Sequence, residues 1–366
     1  MEKQTGGSGE AAYPLVSIVI PTYKRPDALA ETLQNLLKLD YPTDRFEVIV
    51  VDDGSGDETP QVAARMQPAF STLTCHSQSN AGAARARNEG AKIAGGEVLI
   101  FLDDDMIVPP SLIRQHLEAL DHFGDCMVCG YREFAPRLAA ILNQSPFGRF
   151  RLEVEPRQEG WDLEKKVTDS LVENCVEHKD GGITANNLAV RREDFLRLGG
   201  FDEEFPFAGY EDQELAHRAR MAGFRCLINY GLKAWNNDRR LTLRQFCERQ
   251  RRGAITAALI ALKYRDLWMQ RPLLRENCPI QSDDSLRLIA KKLAKTVLAS
   301  PAGLAVLYGV VAMLERVRPG SPLLPRIYLM MCGLYIFRGI REGLEQYGKA
   351  GVKPHTAALL NNASGS

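Results

Sequence analysis

The chain has 366 residues, of which 45% are hydrophobic and 25% are charged, a composition typical of an ordinary folded protein with more than one structural unit. Its 46 Lys and Arg residues balance 46 Asp and Glu residues, which excludes a global electrostatic attraction to nucleic acid or to a membrane. The sequence contains no nucleic-acid-binding motif, and we expect no nucleic-acid partner.

The chain begins with a polar, Gly-rich segment. Residues 1–12 lack the apolar stretch of a secretory signal, and we predict a disordered tail there. Eight Cys residues in a chain of this length, without such a signal, predict reduced thiols rather than a disulfide framework. We therefore expect the protein in the cytoplasm.

Strands and helices alternate along the first half of the chain. Three apolar runs have the length of strands, and amphipathic helical patterns lie between them; the runs are Val16–Ile20, Phe46–Val51 and Val98–Leu102. This alternation predicts βαβ units and a mainly parallel sheet. In such sheets ligands bind beyond the carboxyl ends of the strands. The polar residues that follow the three runs are Thr22, Asp52, Asp53 and the triplet Asp103, Asp104 and Asp105.

The Asp triplet has two interpretations. Three adjacent carboxylates repel one another unless solvent or a cation screens them. One interpretation is a solvated acidic turn, because charged residues are mostly exposed. The other is a set of oxygen ligands for a hard divalent cation at the mouth of the sheet.

The turn after the first strand distinguishes between classes of nucleotide-binding protein. Residues 21–27 read PTYKRPD and lack GxGxxG, which argues against a dinucleotide-dependent dehydrogenase. The chain also lacks GxxxxGK[ST], which argues against a P-loop NTPase.

Five motifs in register resemble the inverting glycosyltransferases of family two, which have the GT-A fold. They are SIVIPTYKRPDAL, VIVVDDGSGDET, NAGAARARNEG, LIFLDDD and a later segment with ANNLAVRR, GGFD and YEDQEL. The resemblance covers residues 14 to 253. It implies an α/β, GT-A (nucleotide-diphospho-sugar transferase) fold with a mainly parallel central sheet, and an enzyme that uses a nucleotide-sugar donor.

The resemblance also implies roles for residues near the predicted strand ends. Thr22 and Tyr23 would line the nucleotide pocket, and Asp53 would accept a hydrogen bond from the base, usually uracil. Arg87 would approach the nucleotide or its diphosphate. We therefore expect a UDP-sugar as the donor.

In the family the triplet supplies an Asp-x-Asp motif. By this resemblance Asp103 would contact the ribose, Asp104 would belong to the donor site, and Asp105 would ligate Mg²⁺ or Mn²⁺ bridging the diphosphate. A divalent cation stabilises the negative charge that a leaving nucleoside diphosphate gathers. This resemblance favours the cation site over the solvated turn.

The later motifs resemble the half of the family that binds the acceptor. Asp212 would be the general base for the acceptor hydroxyl, and Glu211 would bind the acceptor or orient the site. Asn187, with Arg191 and Arg192, would shape the floor beneath donor and acceptor, and structural pairing is the alternative for these three. The acceptor would be a glycan or a lipid-linked molecule.

One position departs from the family pattern. Many members carry a metal-ligating His before a basic helix, and Asn236 stands at that position here. An amide oxygen can ligate Mg²⁺, but it is a poorer ligand than imidazole for softer metals. Asn236 therefore leaves open a catalytically weakened nucleotide- or sugar-binding subunit. A nucleotidyltransferase, which also uses an α/β sheet and acidic metal ligands, is a further alternative.

The C-terminal third is basic and apolar. Residues 239 to 295 contain fourteen Lys and Arg residues against five Asp and Glu residues. We predict a long basic helix over Leu241–Lys263. The run Thr296–Leu314 has no charged residue. As one helix, Thr296–Leu314 would be about 28 Å long, close to a bilayer core of about 30 Å. A second apolar run covers Ile327–Phe337.

These patterns predict four segments. They are a tail at 1–12, a glycosyltransferase domain at 13–240 with halves 13–110 and 111–240, a helical membrane-associating extension at 241–348, and a disordered tail at 349–366. We expect the extension to hold the protein peripherally at the inner face of the cell membrane, with a true span and a soluble helical hairpin as alternatives. A homo-oligomer stays open.

Overall fold

The computed structural model describes residues 13–158, 164–178, 183–265 and 271–348; both predicted disordered tails lie outside these ranges. The strands are β1 (Val16–Thr22), β2 (Phe46–Asp52), β3 (Leu73–Ser77), β4 (Val98–Leu102), β5 (Met106–Ile107), β6 (Cys126–Phe134), β7 (Cys175–Glu177), β8 (Asn187–Arg191) and β9 (Arg225–Asn236).

The helices surround and follow this sheet. The first nine are α1 (Pro26–Leu36), α2 (Thr59–Met66), α3 (Ala83–Ile93), α4 (Leu112–Phe123), α5 (Pro136–Leu142), α6 (Pro146–Gln158), α7 (Leu171–Asn174), α8 (Arg192–Arg197) and α9 (Glu211–Met221). The C-terminal helices are α10 (Leu243–Lys263), α11 (Pro272–Arg275), α12 (Leu286–Leu298), α13 (Pro301–Val317) and α14 (Leu323–Gly348).

The strands form one sheet in the order β3-β2-β1-β4-β8-β6-β9-β5, and β7 pairs with β9 outside this path. β1 lies between β2 and β4, parallel to both, and β2 is parallel to β3. β8 runs antiparallel to its two neighbours, β4 and β6. The predicted α/β fold with a mainly parallel core is therefore confirmed, and the carboxyl ends of β1, β2 and β4 meet at one edge.

Helices cover both faces of the sheet. One apolar core packs Leu33 of α1 and Leu112 of α4 against one face. A second core packs Phe195 of α8 and Leu215 of α9 against the other face. Because both faces are covered, every residue of β4 is buried, which explains its continuous apolar sequence.

The C-terminal helices form a separate packed layer. α14 packs on α10 through Gly339 and Gly343, one turn apart; a Cβ on Gly339 would lie 2.2 Å from the carbonyl oxygen of Arg251. The close helix approach therefore depends on the missing side chains. The expectation that Thr296–Leu314 forms one helix is wrong, because α12 ends at Leu298 and α13 begins at Pro301.

Membrane-length helices are rare in the described part of the chain. α14 alone there has the length and apolarity to cross a membrane, and half of its apolar window is buried. α12 and α13 meet that criterion only as a pair, and the pair is bent by 79°. Pro301 at the first position of α13 and the Ser300 side chain, which accepts a hydrogen bond from the Gly303 N–H, start a new helix at the bend.

Candidate active site

The Asp triplet lies at the edge of the sheet where the carboxyl ends of β1, β2 and β4 meet. β1 ends at Thr22 and β4 ends at Leu102, so Thr22 and Asp104 come together across neighbouring strands. The Thr22 hydroxyl donates a hydrogen bond of 2.7 Å to Asp104 Oδ2. The sheet topology thus brings together two residues that are 82 positions apart in sequence.

Arg25 binds two carboxylates of the triplet at once. Its Nη1 lies 2.7 Å from Asp104 Oδ1, and its Nη2 lies 2.6 Å from Asp105 Oδ2. Both aspartate side chains are 4% exposed, whereas the Arg25 side chain is 34% exposed at the mouth of the site. Asp104 and Asp105 are therefore not a solvated turn, and a guanidinium holds them together.

Burial and like charge perturb the triplet. Burial, with the neighbouring Asp105 carboxylate, raises the pKa of Asp104 to about 7 even though Arg25 opposes the shift. Burial also raises the pKa of Asp103. Burial favours the neutral form of Arg25, but the Asp105 and Asp104 carboxylates favour its charged form more strongly, so the pKa of Arg25 is raised. The site therefore concentrates negative charge, which Arg25 and the Thr22 hydroxyl stabilise.

Arg87 links the triplet to the acidic pair at the start of α9. It is 3% exposed; its Nη2 lies 2.8 Å from Asp103 Oδ1, and its Nη1 lies 2.8 Å from Glu211 Oε1. Both amino groups of the guanidinium are thus committed to carboxylates. We predicted that Arg87 approaches the nucleotide. In the structure it joins Asp103 of the triplet to Glu211 of α9.

Asp212 follows Glu211 at the N-terminus of α9 and is partly exposed. The backbone N–H of Gln213 donates a hydrogen bond of 2.8 Å to Asp212 Oδ1. Burial, together with the charge of Glu211, raises the pKa of Asp212 to about 7, despite the opposing charge of Arg87. A carboxylate with such a pKa is suited to accept a proton near neutral pH.

The site contains the two non-glycine residues of the described chain with positive φ. They are Lys24, with φ of 53°, and Tyr210, with φ of 71°. Lys24 lies between Tyr23 and Arg25, and Tyr210 precedes the acidic pair. Such left-handed conformations are costly for residues with a side chain and concentrate at functional sites.

Asp53 organises the loop that closes one side of the site. Its carboxylate accepts hydrogen bonds from the backbone N–H groups of Ala81 and Gly82, at 2.8 and 2.9 Å, and from the Gln78 amide at 2.8 Å. Tyr23 stands at the opening and is 42% exposed. The predicted contact between Asp53 and a base stays a prediction.

The predicted floor residues separate into two groups. Asn187 is fully buried at the start of β8, opposite Leu102, and its Oδ1 lies 2.8 Å from His116 Nε2. Arg191 pairs with Val98 at the other end of the same strands, where its side chain binds Asp121. Arg191 and the next residue, Arg192, therefore lie at the opposite edge of the sheet, and their placement beneath the site is wrong.

Asn236 ends β9 beside the triplet. Its Oδ1 accepts a hydrogen bond of 2.8 Å from the Asp238 N–H, which positions the Asp238 carboxylate. Asp238 is buried, and its Oδ1 lies 4.0 Å from Arg25 Nη2. A metal-ligand role for Asn236 stays a prediction, while Asp238 is the residue of this segment that faces Arg25.

Basic residues that we had not predicted complete the site. Asp238 also pairs with Arg151 of α6 and with Arg240. Burial favours protonation of Asp238, but Arg240 and Arg249 hold its pKa below the usual value. Arg249 of α10 lies in the field of Glu155 and Asp238, whose carboxylates raise its pKa. α10 therefore contributes positive charge to the site.

The triplet has the chemistry for a divalent cation. Among the described residues no group of three or more Asp, Glu, His or Cys side chains is arranged to hold a metal ion. Mg²⁺ in nucleotide sites commonly takes only one or two carboxylates, with phosphate oxygens and water completing its shell. Asp105 supplies a hard oxygen ligand, and the Asp104–Asp105 pair already binds a cationic group. The residues thus fit Mg²⁺ or Mn²⁺ if Arg25 yields its position.

Comparison with known proteins places two segments in known families. Residues 17–163 match the glycosyl transferase family 2 model, and residues 178–234 match the model described as the N-terminal domain of galactosyltransferase. A mannosyltransferase from Pyrobaculum calidifontis, solved in complex with GDP-Man and Mn²⁺, shares the fold with a TM-score of 0.56. The two chains are 19% identical, and the match covers 92% of this chain and 88% of the other.

Two curated relatives match more than half of the chain. An uncharacterized glycosyltransferase, YfnE of Bacillus subtilis, is 27% identical over 57% of this chain and 60% of its own length. Validoxylamine A glucosyltransferase of Streptomyces hygroscopicus is 30% identical over 60% of this chain and 56% of its own length. The chain thus spans less than two thirds of these relatives. The motif order, the GT-A fold and the family model together identify residues 17–163 as a glycosyl transferase family 2 segment.

Proposed function

We propose that the protein is an inverting glycosyltransferase that uses a nucleotide-sugar donor, with Asp212 as the general base. One observation carries the proposal. Asp212 stands beside Glu211, which Arg87 ties to Asp103 through two contacts of 2.8 Å. An ion-pair chain therefore links the candidate donor site to the residue next to the candidate base, which supports the close placement that attack on a bound donor requires.

The donor would lie across the carboxyl ends of β1, β2 and β4. Thr22, Tyr23 and the Asp53 loop would surround the nucleotide, with Asp103 near the ribose. Asp105 would hold Mg²⁺ or Mn²⁺, with Asp104 behind it and Asn236 in the outer shell. The cation would supply positive charge to the diphosphate, and Arg25 and Arg249 would add to it.

Transfer would occur in one displacement. The acceptor hydroxyl approaches the anomeric carbon on the face opposite the diphosphate, and its proton passes to the Asp212 carboxylate as the new carbon–oxygen bond forms. The bond to the diphosphate breaks, and the nucleoside diphosphate leaves with the electron pair. Because attack comes from the opposite face, the configuration at that carbon inverts. Glu211 and the buried Asn187 would keep Asp212 and the strand ends in position.

The expected donor is a UDP-sugar, and the expected acceptor is a hydroxyl of a glycan or a lipid-linked molecule. The names of similar proteins support this class of reaction: besides the glucosyltransferase, a hyaluronan synthase of Pasteurella multocida is 28% identical over 59% of this chain and 24% of its own length. The solved mannosyltransferase holds GDP-Man, so GDP-sugars belong in the same test.

The experiment is incubation with a panel of UDP-, GDP- and dTDP-sugars, with and without Mn²⁺. We expect release of nucleoside diphosphate with at least one donor, abolished in Asp212→Asn and retained in the control Asp283→Asn, which changes an exposed carboxylate. Donor binding without release would support the catalytically weakened binding subunit. The structural argument for that alternative is that Arg25 occupies Asp104 and Asp105. Release of pyrophosphate would instead identify a nucleotidyltransferase.

A further inference from the structure

Helix α12 leaves most of its apolar residues exposed. Lys292 is its one buried side chain, and the Lys292 Nζ lies 2.6 Å from Asp284 Oδ2 and 3.1 Å from the Pro279 carbonyl oxygen. The apolar residues Leu286, Leu293 and Val297 face outward. A surface helix normally buries its apolar stripe and exposes its charges. α12 instead buries one charged side chain, Lys292, and leaves Leu286, Leu293 and Val297 exposed as an apolar stripe.

Helix α13 continues this exposed apolar surface. It buries Leu304 and Val311, while Val306, Met313 and Val317 are exposed. The six outward residues of α12 and α13 are between 54% and 86% exposed, and on each helix they recur at i, i+7 and i+11. That spacing places them on one side of each helix. We call this set, Leu286, Leu293, Val297, Val306, Met313 and Val317, the apolar face.

Most charges near the apolar face are basic, although Glu276 pairs with Lys291. Residues 285 to 341 contain nine Lys and Arg residues and a single acidic residue, Glu315. Glu315 accepts a hydrogen bond from the Tyr328 hydroxyl, whereas five basic side chains are exposed around the face: Arg287, Lys291, Arg316, Arg318 and Arg326. An apolar surface with a basic rim is the pattern of helices that lie in the interface of an anionic membrane.

A cavity opens beside the apolar face. It has a volume of about 340 Å³ and lies between α12, α14 and the segment before α12. Leu293, Ile280 and Phe337 provide apolar walls, and Arg341 provides a cation. Apolar walls beside a cationic group suit a lipid, whose acyl chain and anionic headgroup need both surfaces.

We propose that the apolar face docks the protein on an anionic lipid bilayer, with α12 and α13 lying in the interface rather than crossing it. The 79° bend excludes a straight span through both helices, and α13 at about 1.5 Å per residue is about 25 Å long, short of a bilayer core of about 30 Å. A second copy of the chain is a poorer occupant, because a two-fold interface would bring the two basic rims together. Membrane docking stands apart from catalysis and can be tested without a known substrate.

The test is co-sedimentation of the full chain with vesicles at low salt, using pure phosphatidylcholine and phosphatidylcholine mixed with phosphatidylglycerol. We expect binding to the mixed vesicles and much weaker binding to the neutral ones. Leu293→Asp with Val306→Asp should reduce the partition coefficient at least tenfold, roughly the loss expected when buried apolar side chains become charged. The control Met221→Asp changes a residue that is 77% exposed on the catalytic domain and should bind as the wild type does.

The charge contribution is tested separately. Arg287→Ser with Lys291→Ser should weaken binding to the mixed vesicles by about fivefold per residue, whereas the control Arg65→Ser with Lys92→Ser should not. All variants change exposed side chains, so unchanged melting temperatures and nucleotide binding would exclude misfolding. A wild-type chain that binds neither vesicle, or binds both equally, overturns the proposal. Self-association that Leu293→Asp abolishes, without vesicle binding, would identify a second copy as the occupant and also overturn it.

Discussion

Replacing Arg25 by Gln tests whether Arg25 is the resident counter-ion of the acidic site. The substitution removes two charge-assisted contacts, of 2.7 Å to Asp104 and 2.6 Å to Asp105, and leaves both carboxylates 4% exposed without the guanidinium. Breaking a fully buried pair costs about 3–5 kcal/mol, and breaking an exposed pair costs about 0–1 kcal/mol. Because Arg25 is 34% exposed, solvent screens part of the loss, and we expect a destabilisation of about 2 kcal/mol.

This loss can be measured as a change in melting temperature. One kcal/mol shifts the melting temperature of a domain of this size by about 2–4 °C, so Arg25→Gln should lower it by about 4–8 °C without divalent metal. The pKa of Asp104, already about 7 against an ordinary value of 3.8, rises further without Arg25. The folded state then binds more protons than the unfolded state, so stability falls as pH rises, and the loss should be larger at pH 8 than at pH 6.

Divalent metal provides the second readout. If Mn²⁺ and Arg25 use the same carboxylates, millimolar Mn²⁺ should raise the melting temperature of Arg25→Gln more than that of the wild type, because the variant has no competing guanidinium. The control is Arg45→Gln, which removes an exposed contact of 3.9 Å to Asp44 and should change neither quantity. An unchanged melting temperature in Arg25→Gln, or an equal response to Mn²⁺ in both proteins, would refute this reasoning.

Three further outcomes are expected. Burial and Glu211 raise the pKa of Asp212 to about 7, so its carboxylate is ionised to about a tenth at pH 6 and about nine tenths at pH 8. If Asp212 is the proposed base, kcat/KM for nucleoside diphosphate release should rise about tenfold over that range, and a flat profile would remove Asp212 from that role. Asp212→Asn should retain donor affinity measured by calorimetry while losing transfer, and near-wild-type turnover would contradict the assignment. Asp105→Ala should abolish the effect of metal on donor affinity, whereas an unchanged metal effect would move the cation site elsewhere.

The local sequence was enough to identify the strands and the acidic residues that follow them. Val98–Leu102 is a strand with the predicted bounds, because a continuous apolar run of five residues fits a strand covered on both faces. The positions of Thr22 and the Asp triplet follow from the same pattern, since parallel strands bring their carboxyl ends to one edge. We did not predict the helix break before Pro301, although Ser300-Pro301 is a typical N-cap and first helical residue.

Which charges meet was decided only by the tertiary structure. Arg25 and Asp105 are 80 positions apart, and Arg87 and Glu211 are 124 apart. No local periodicity encodes such pairs, because they depend on how the strand ends and α9 pack together. The orientation of α12 also depends on the tertiary structure. Its sequence permits either face of the helix to be buried. In the structure the face that carries Lys292 is buried, where Lys292 contacts Asp284, and the apolar residues point outward. The sequence therefore determined where the carboxylates lie along the chain, and the packing determined which cations neutralise them.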